Sequence, residues 1–285
     1  MLLAVATTFG ANHVAARIAF EHGANVTTAV AFRSAGTALV LLFLLLLSRV
    51  SLRIDATTFR RVLLVGLLVA SQSYCLYSAV AIIPVALALL AFQTFPMVLA
   101  LLSWASGSER PAPRALAAMP VALAGLALAL DVWGRGGDMA GRWGEIGAGV
   151  SWALAASLSF AGALFLMTRW LSAIDGRLRS FLTVGVVACV ILAGGAAAGD
   201  FRLPADATGW TAIAALTALY GVAITAVFVL LPRLGAVNNA VVLNFEPIAV
   251  LALAWAILGQ KVAPLQIVGA FIVVGAIMAL GAGKK

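Results

Sequence analysis

Two stretches of the sequence repeat each other at an interval of about half the chain. Residues 93–113 read QTFPMVLALLSWASGSERPAP, and residues 244–264 read NFEPIAVLALAWAILGQKVAP. In register, they align several identical residues: Pro96 with Pro247, Trp104 with Trp255 and Pro113 with Pro264. A chain that repeats one unit is expected to fold as two similar halves. Internal repeats in an apolar chain are typical of transporters, whose binding site lies where the halves meet.

The composition places this repeat in a membrane. Hydrophobic residues make up 64% of the chain and charged residues 10%, with a mean hydropathy of +1.12. A soluble domain carries roughly 25% charged residues. The apolar stretches are near the ~20 residues that a helix needs to cross a bilayer, and the short alternating segments of a membrane barrel are missing from the pattern. We therefore expect an all-α integral membrane protein.

The apolar stretches predict ten transmembrane helices in two five-helix repeats. Residues 1–133 form the predicted first repeat, residues 134–145 a Gly-rich linker loop, and residues 146–285 the second repeat. The predicted helices are 2–20, 26–47, 58–80, 84–104, 114–133, 146–168, 178–199, 208–231, 235–257 and 264–283. Because five is odd, the second repeat must enter the membrane from the opposite side, so we expect inverted-topology repeats around a central cavity.

The distribution of Lys and Arg among the loops predicts the orientation of the chain in the membrane. Most of the 18 Lys and Arg residues fall in loops that share one side when the amino terminus is inside. Cytoplasmic loops carry such an excess, so both termini are expected in the cytoplasm of a multi-pass inner-membrane protein. The formal charge of +8 is spread over these loops rather than gathered on one face, which argues against nucleic acid as a partner. The two cysteines lie inside apolar stretches, and we expect neither a disulfide framework nor a metal site.

The repeated block resembles the EamA-type branch of the drug/metabolite transporter superfamily. The resemblance is carried by Pro96 to Pro113, by Glu246 to Gly275, by FGANHVAARIAF in the first helix and by Arg33 within AFRSAG. It covers essentially the whole chain. It implies ten helices, inverted repeats and export of small metabolites, often amino acids, as in ten-helix bacterial exporters of aromatic and other amino acids. The chain departs from the pattern at Gln260, where the family often has glutamate.

Polar side chains at mid-depth are the candidate cavity residues, because burying them against lipid is costly. Arg33 on helix two is a candidate to hold a solute carboxylate, His13 on helix one a candidate to bind solute or relay protons, and the aromatic residues provide walls suited to an amphipathic solute. The predicted substrate-binding residues are Asn12, His13, Arg33, Gln72, Tyr74, Tyr77, Gln93, Trp152, Ser159, Tyr220, Asn244 and Glu246. For each of them, packing within the bundle is the alternative role.

Glu246 and the two repeated prolines have specific expectations. Glu246 either couples a proton or binds a solute amine, or it is a protonated structural group beside Pro247. Pro96 and Pro247 each remove a backbone donor, so both are predicted to kink their helices and to act as hinges. Arg33 either holds a carboxylate or pairs with Glu246 or a helix end.

These features favour an exporter of small metabolites, most of all aromatic or other neutral amino acids, that works by alternating access. The alternative is efflux of lipophilic cations. An integral-membrane enzyme fits less well, because no zinc-binding or nucleophile motif is found and no catalytic residues or cofactor are expected. The predicted partners are an amino-acid-like solute, the bilayer and, as a further option, protons. Both a monomer and a homodimer are compatible with the sequence.

Overall fold

The computed structural model describes residues 2–107, 113–129, 139–234, 246–260 and 263–281, and within these ranges it is helical with no strand. Eleven helices are described: α1 (Leu2–Glu21), α2 (Val26–Leu47), α3 (Ala56–Ile82), α4 (Val85–Phe92), α5 (Phe95–Ala105), α6 (Pro113–Ala129), α7 (Met139–Trp170), α8 (Gly176–Ala198), α9 (Ala207–Leu234), α10 (Glu246–Leu258) and α11 (Pro264–Gly281). The all-helical fold predicted from the sequence is confirmed.

Short polar side chains set several helix starts. Asn25, Asp55 and Asp175 each precede a helix and accept a hydrogen bond from a backbone N–H of its first turn. Such caps satisfy donors that have no partner within the helix. At the far end of α8, Gly199 takes the left-handed conformation (φ 62°) that commonly ends a helix. The loops between these helices are therefore defined by local chemistry.

Six apolar segments are long enough to cross a membrane. They are Val26–Leu47, Ala56–Ile82, Val85–Ala105, Ile146–Trp170, Gly176–Ala198 and Ala207–Ile224, and shorter apolar helices accompany them. The segment Val85–Ala105 contains both α4 and α5, so these two helices form a single span that is interrupted at Gln93–Thr94. The described residues thus fit a membrane protein of about ten spans.

The structure bears on two boundaries predicted from the sequence, at the linker between the halves and at the ninth predicted helix. Residues 134–145 were expected to form a loop, but α7 begins at Met139, so the second part of the predicted linker is helical. The glycines suggested a break, yet each costs only about 1 kcal/mol in a helix, and Met139, Trp143 and Glu145 between them are acceptable helix residues. Of the predicted helix 235–257, the described part begins at Glu246, and residues 235–245 lie outside the described ranges.

The two halves run in opposite directions. Thr27 at the start of α2 hydrogen-bonds Asp200, which follows the end of α8. Ile83 at the end of α3 packs on Gly149 near the start of α7. Because α2 and α8 are the second helices of their halves, their antiparallel arrangement identifies inverted repeats.

The packing of the helices repeats when the halves are exchanged. α1 packs on α9 as α3 packs on α7, and α2 packs on α9 as α3 packs on α8. Two further pairs, α2 with α8 and α6 with α11, join equivalent helices directly, and α1 packs on α10 as α7 packs on α5. Most of the buried core is therefore the contact between the two halves, and polar groups placed there are shared by both.

Close helix contacts depend on glycine at two places. The backbones of α6 and α11 meet at Gly125 and Gly269, where a Cβ on Gly269 would collide with the backbone of Ala129. Gly10 on α1 lets Val250 of α10 approach in the same way. Small residues commonly allow such approach between membrane helices. The second contact brings α1, with its polar residues, against the start of α10.

Candidate functional site

Arg33 is the most deeply buried cation among the described residues, with 5% of its surface exposed. It extends from α2 toward α3, where its Nη2 donates to Ser73 Oγ (2.9 Å) and its Nη1 donates to Tyr77 Oη (3.3 Å). The guanidinium carbon also lies 4.6 Å from the ring centre of Tyr77 and 4.2 Å from that of Tyr220 on α9. Cation–π attraction is strongest where water is excluded, so these rings help to keep the charge inside the bundle.

Tyr77 connects Arg33 to helix α1. The tyrosine is fully buried, and its hydroxyl donates to Asn12 Oδ1 (3.2 Å) while it accepts from Arg33. Asn12 is also fully buried. The single hydroxyl oxygen of Tyr77 is therefore bonded to both neighbours.

His13 and Glu246 extend the same group of residues into the second half. His13 Nε2 lies 3.4 Å from Glu246 Oε1, and the His13 ring meets the Tyr77 ring edge-on with centroids 5.6 Å apart. The His13 side chain is 7% exposed and the Glu246 side chain 25%. Glu246 is thus the more open end of the group. We call Asn12, His13, Arg33, Ser73, Tyr77, Tyr220 and Glu246 the central cluster.

The central cluster is not fully hydrogen-bonded. Asn12 Nδ2, His13 Nδ1 and Arg33 Nε are buried and have no hydrogen-bond partner within the protein. Buried polar groups are nearly always paired, and an unpaired one costs about 1–3 kcal/mol. Among the ion pairs of the described residues, none joins Arg33 to a carboxylate, since Glu246 contacts His13 instead. The cluster therefore retains capacity for hydrogen bonding to another molecule.

A second polar group lies between α3 and α7. Ser71 Oγ is 3.1 Å from Ser159 Oγ, and the rings of Tyr74 and Trp152 meet edge-on with centroids 6.3 Å apart. Gln72 is half-buried between these contacts and the central cluster, and it accepts a long hydrogen bond from Ser73 (3.4 Å). Helix α3 thus presents polar residues on two sides, toward α1 and α2 and toward α7.

The interruption of the fourth span lies against α7. Gln93 and Thr94, both buried, separate α4 from α5, and Thr94 Oγ1 lies 2.8 Å from Ser157 Oγ on α7. Pro96 stands in the first turn of α5, where its missing N–H costs little. The span is interrupted just before Pro96, and a kink or hinge caused by Pro96 stays a prediction.

Another set of polar contacts joins the halves at one end of the bundle. Asn25 Nδ2 donates to the Asp200 backbone oxygen (2.6 Å) and to Asp200 Oδ1 (3.1 Å), and Thr27 Oγ1 donates to Asp200 Oδ2 (2.7 Å). His22 Nδ1 lies 2.7 Å from Asp206 Oδ2. The backbone N–H of Gly209 and the His22 side chain hold the pKa of Asp206 below its usual range. We call His22, Asn25, Thr27, Asp200 and Asp206 the edge network.

Arg17 caps a helix close to the edge network. Its Nη1 donates to the carbonyl oxygens of Val80 (3.0 Å) and Ala81 (3.1 Å) in the last turn of α3, and its Nε contacts Glu21 (2.8 Å). A cation is favourable at a helix C-terminus, where carbonyl groups lack partners. This contact fixes α1 against the end of α3 that carries Tyr77.

The structure brings together part of the predicted site. The central cluster contains six of the predicted residues: Asn12, His13, Arg33, Tyr77, Tyr220 and Glu246. The contact between α3 and α7 includes Gln72, Tyr74, Trp152 and Ser159, and the break between α4 and α5 includes Gln93. Asn244 lies outside the described residues, and no kink at Pro247 can be assigned because the described part of that helix begins one residue earlier. No group of three metal-ligating side chains occurs in the part of the chain that the structure describes.

Several contributing residues had not been selected from the sequence. Ser73 lies one turn before Tyr77 on the same face of α3, a spacing that could have revealed it. Ser71 and Ser157 had no such signal, because isolated serines are common in membrane helices. The partners in the edge network come from residues far apart in the chain, and no local pattern links Asn25 with Asp200.

Comparison with known proteins agrees with the fold. The EamA-like transporter family matches residues 1–130 and 147–282. A solved crystal structure, whose title gives no function, aligns with a TM-score of 0.65 over 99% of this chain and 95% of its own, at 18% identity. At that identity the likeness concerns the fold alone. None of the curated proteins matches the sequence.

Proposed function

Since the chain belongs to the EamA-like transporter family, we propose that this membrane transporter exports small zwitterionic metabolites, above all amino acids. One observation carries the proposal: the central cluster contains a buried cation that lacks a carboxylate partner and, at its more open end, a carboxylate. A solute with both charges could be bound there by groups of opposite sign. Both halves of the bundle contribute to the cluster, as alternating access requires.

Efflux of lipophilic cations is the competing proposal. Glu246 and the rings of Tyr77 and Tyr220 would suit a cation, as aromatic cages do. Arg33 opposes it, because a second positive charge near Tyr77 and Tyr220 would be repelled in a medium of low dielectric constant. A membrane enzyme is a weaker alternative still, since the family is one of transporters.

The site of action follows from the same reasoning. The excess of Lys and Arg in one set of loops supports insertion into a bacterial inner membrane with both termini in the cytoplasm. The inverted halves would expose the cluster to each side in turn. The solute would then enter from the cytoplasm and leave on the opposite side.

Transport by the purified protein in liposomes tests the proposal. Radiolabelled phenylalanine and a lipophilic cationic dye are compared, each with and without a pH gradient, and empty liposomes provide the background. We expect uptake of phenylalanine and little uptake of the dye. Transport of the dye alone would reverse the order of the two proposals.

A variant tests proton coupling separately. Glu246→Gln keeps the size of the side chain and a hydrogen-bond acceptor for His13 but removes the charge. If Glu246 carries the coupling proton, the stimulation by a pH gradient should disappear. Unchanged stimulation in this variant would mean that another group carries the coupling proton, whereas absence of stimulation in the wild type would indicate export by facilitated diffusion.

A further inference from the structure

We propose that Arg33 Nε and Asn12 Nδ2 form a receptor for the carboxylate of the solute, and that the transported molecules are therefore monocarboxylates. The inference rests on the proposed transport function and specifies which group of the solute is recognised. It assigns the acid group to the inner end of the central cluster, where the cation lies.

The first step is the hydrogen bonding of Arg33. Its two terminal nitrogens are engaged, with Ser73 and with Tyr77, whereas Nε is buried and has no partner within the protein. A guanidinium has five N–H donors and no acceptor, so only an acceptor can satisfy the buried N–H on Nε. A carboxylate is the partner that matches both the charge and the donor.

The second step is the neighbouring donor of Asn12. Its Oδ1 already accepts from Tyr77, which leaves Nδ2 as the free end of the amide, buried and without a partner. Asn12 and Arg33 are bonded to the same tyrosine oxygen, so their free donors belong to adjacent groups. A carboxylate has two oxygens and can accept from both.

The third step concerns charge. The described carboxylates that form ion pairs contact His13, Arg17, His22 and Arg177, and none of them contacts Arg33. One cation beside a neutral amide balances a single negative charge. A phosphate ester with two charges would retain one that is uncompensated at low dielectric constant. This balance favours a monocarboxylate over a dianion.

The sharpest test is the isosteric substitution Asn12→Asp. The new side chain keeps the acceptor for Tyr77 and places a carboxylate oxygen where the free amide donor had been. That oxygen would pair with Arg33 in place of the solute. The variant should therefore bind the carboxylate at least about tenfold more weakly, as expected for loss of a charge-assisted hydrogen bond, and should unfold at a higher temperature.

Three probes separate the groups of the solute. L-phenylalanine has both charges, phenethylamine lacks the carboxylate, and 3-phenylpropionate lacks the amine. Binding of each to the purified full-length protein is measured for the wild type, Asn12→Asp and Arg33→Gln. We expect the wild type to prefer the two acids over phenethylamine, and we expect both variants to lose this preference. A role in packing alone would lower stability without changing the preference.

A control variant accompanies the test, and its outcomes separate failure of the carboxylate receptor from failure of amino-acid export. Arg53→Gln removes an arginine from an exposed loop and should leave the preference intact. If Arg33→Gln does not fold, Asn12→Asp and Arg33→Lys carry the test, and the lysine variant should retain binding but lose affinity. Unchanged discrimination in Asn12→Asp would overturn the receptor and leave amino-acid export standing. Binding of 3-phenylpropionate without phenylalanine would overturn amino-acid export and leave the receptor standing.

Discussion

The central cluster and the edge network both join the two halves through polar side chains, but they use their hydrogen-bonding capacity differently. In the edge network, Asn25, Thr27 and Asp200 satisfy one another, and Asn25 and Asp200 are partly exposed at the end of the bundle. In the central cluster, Asn12 and Arg33 are both buried and yet keep free donors. Polar groups cost most where water is absent.

This difference separates two roles. A network whose members are all hydrogen-bonded to one another holds segments of the chain together, and it has no free donor or acceptor for a ligand. A buried cluster with free donors is less favourable by itself and becomes favourable when an acceptor binds. The comparison therefore predicts that substitutions at the edge change stability, whereas substitutions at the centre change both stability and binding.

The largest effect on stability is expected for Tyr77→Phe. The change removes the hydroxyl that joins Arg33 to Asn12 and leaves both buried groups without that partner. We expect a loss of about 3 kcal/mol in the free energy of unfolding, since each orphaned group costs about 1–3 kcal/mol. Thermal unfolding in detergent measures it. Tyr74→Phe is the matched control, because its ring contacts Trp152 outside the central cluster; equal losses in the two variants would contradict the assignment.

Tyr220 should show the next largest effect. Tyr220→Leu removes the ring over which the Arg33 guanidinium lies and should cost about 2 kcal/mol, the value for a desolvated cation–π contact. Tyr220→Phe keeps the ring and should retain most of the stability. Unfolding curves of the two variants, recorded side by side, give the difference. If leucine and phenylalanine behave alike, the ring does not stabilise the cation.

At the edge, Asp200→Ala should have a smaller effect. It removes the acceptor of Thr27 and one acceptor of Asn25, and water can replace part of the loss because Asp200 is only half-buried. We expect about 1 kcal/mol of destabilisation and no change in solute preference. Asp175→Ala, which removes contacts within a single segment of the second half, is the control. An altered preference in Asp200→Ala would break the distinction between the two regions.

The smallest effect concerns pH. Because the folded-state pKa of Asp206 is lowered, chiefly by the backbone N–H of Gly209 and then by His22, the unfolded chain takes up a proton at higher pH than the folded protein. The stabilisation is present above the ordinary carboxyl pKa of 3.8 and is lost as pH falls through the lower folded value. Asp206→Asn should therefore unfold at a lower temperature than the wild type at pH 7. The difference should shrink as pH falls below 3.8 and vanish below the folded-state pKa of Asp206, and a constant difference across this range would contradict the mechanism.

Much of the fold could be predicted because its determinants are local. The limits of α1 and α2 follow from apolar runs ended by polar residues, and the repeat of Pro96 and Pro247 revealed the two halves. The predicted start of α7 was wrong, because glycines at 141 and 144 suggested a loop within what is an uninterrupted helix. Helix propensity at such positions is decided by the whole helix and its packing, which a short window does not contain.

The candidate site was predicted as a set of residue types, and its connections were not. Arg33, Tyr77, Asn12 and Glu246 were all selected for being polar or aromatic in apolar helices. The alternatives left for Arg33 included Glu246 as its partner, and the structure shows that Glu246 contacts His13. Which of several buried groups pair is set by the rotation and depth of four helices relative to one another, and these are not encoded in any single segment.

The sequence by itself determined that this chain is an inverted pair of helical repeats in a membrane, because apolar length, repeat spacing and an odd number of helices per half are properties of the chain. Only the tertiary structure decided which polar groups are hydrogen-bonded to one another and which keep free donors. The physical reason is that hydrogen bonding depends on distances of about 3 Å between residues far apart in the chain. Asn12, Arg33 and Tyr77 come within that range only when α1, α2 and α3 have packed.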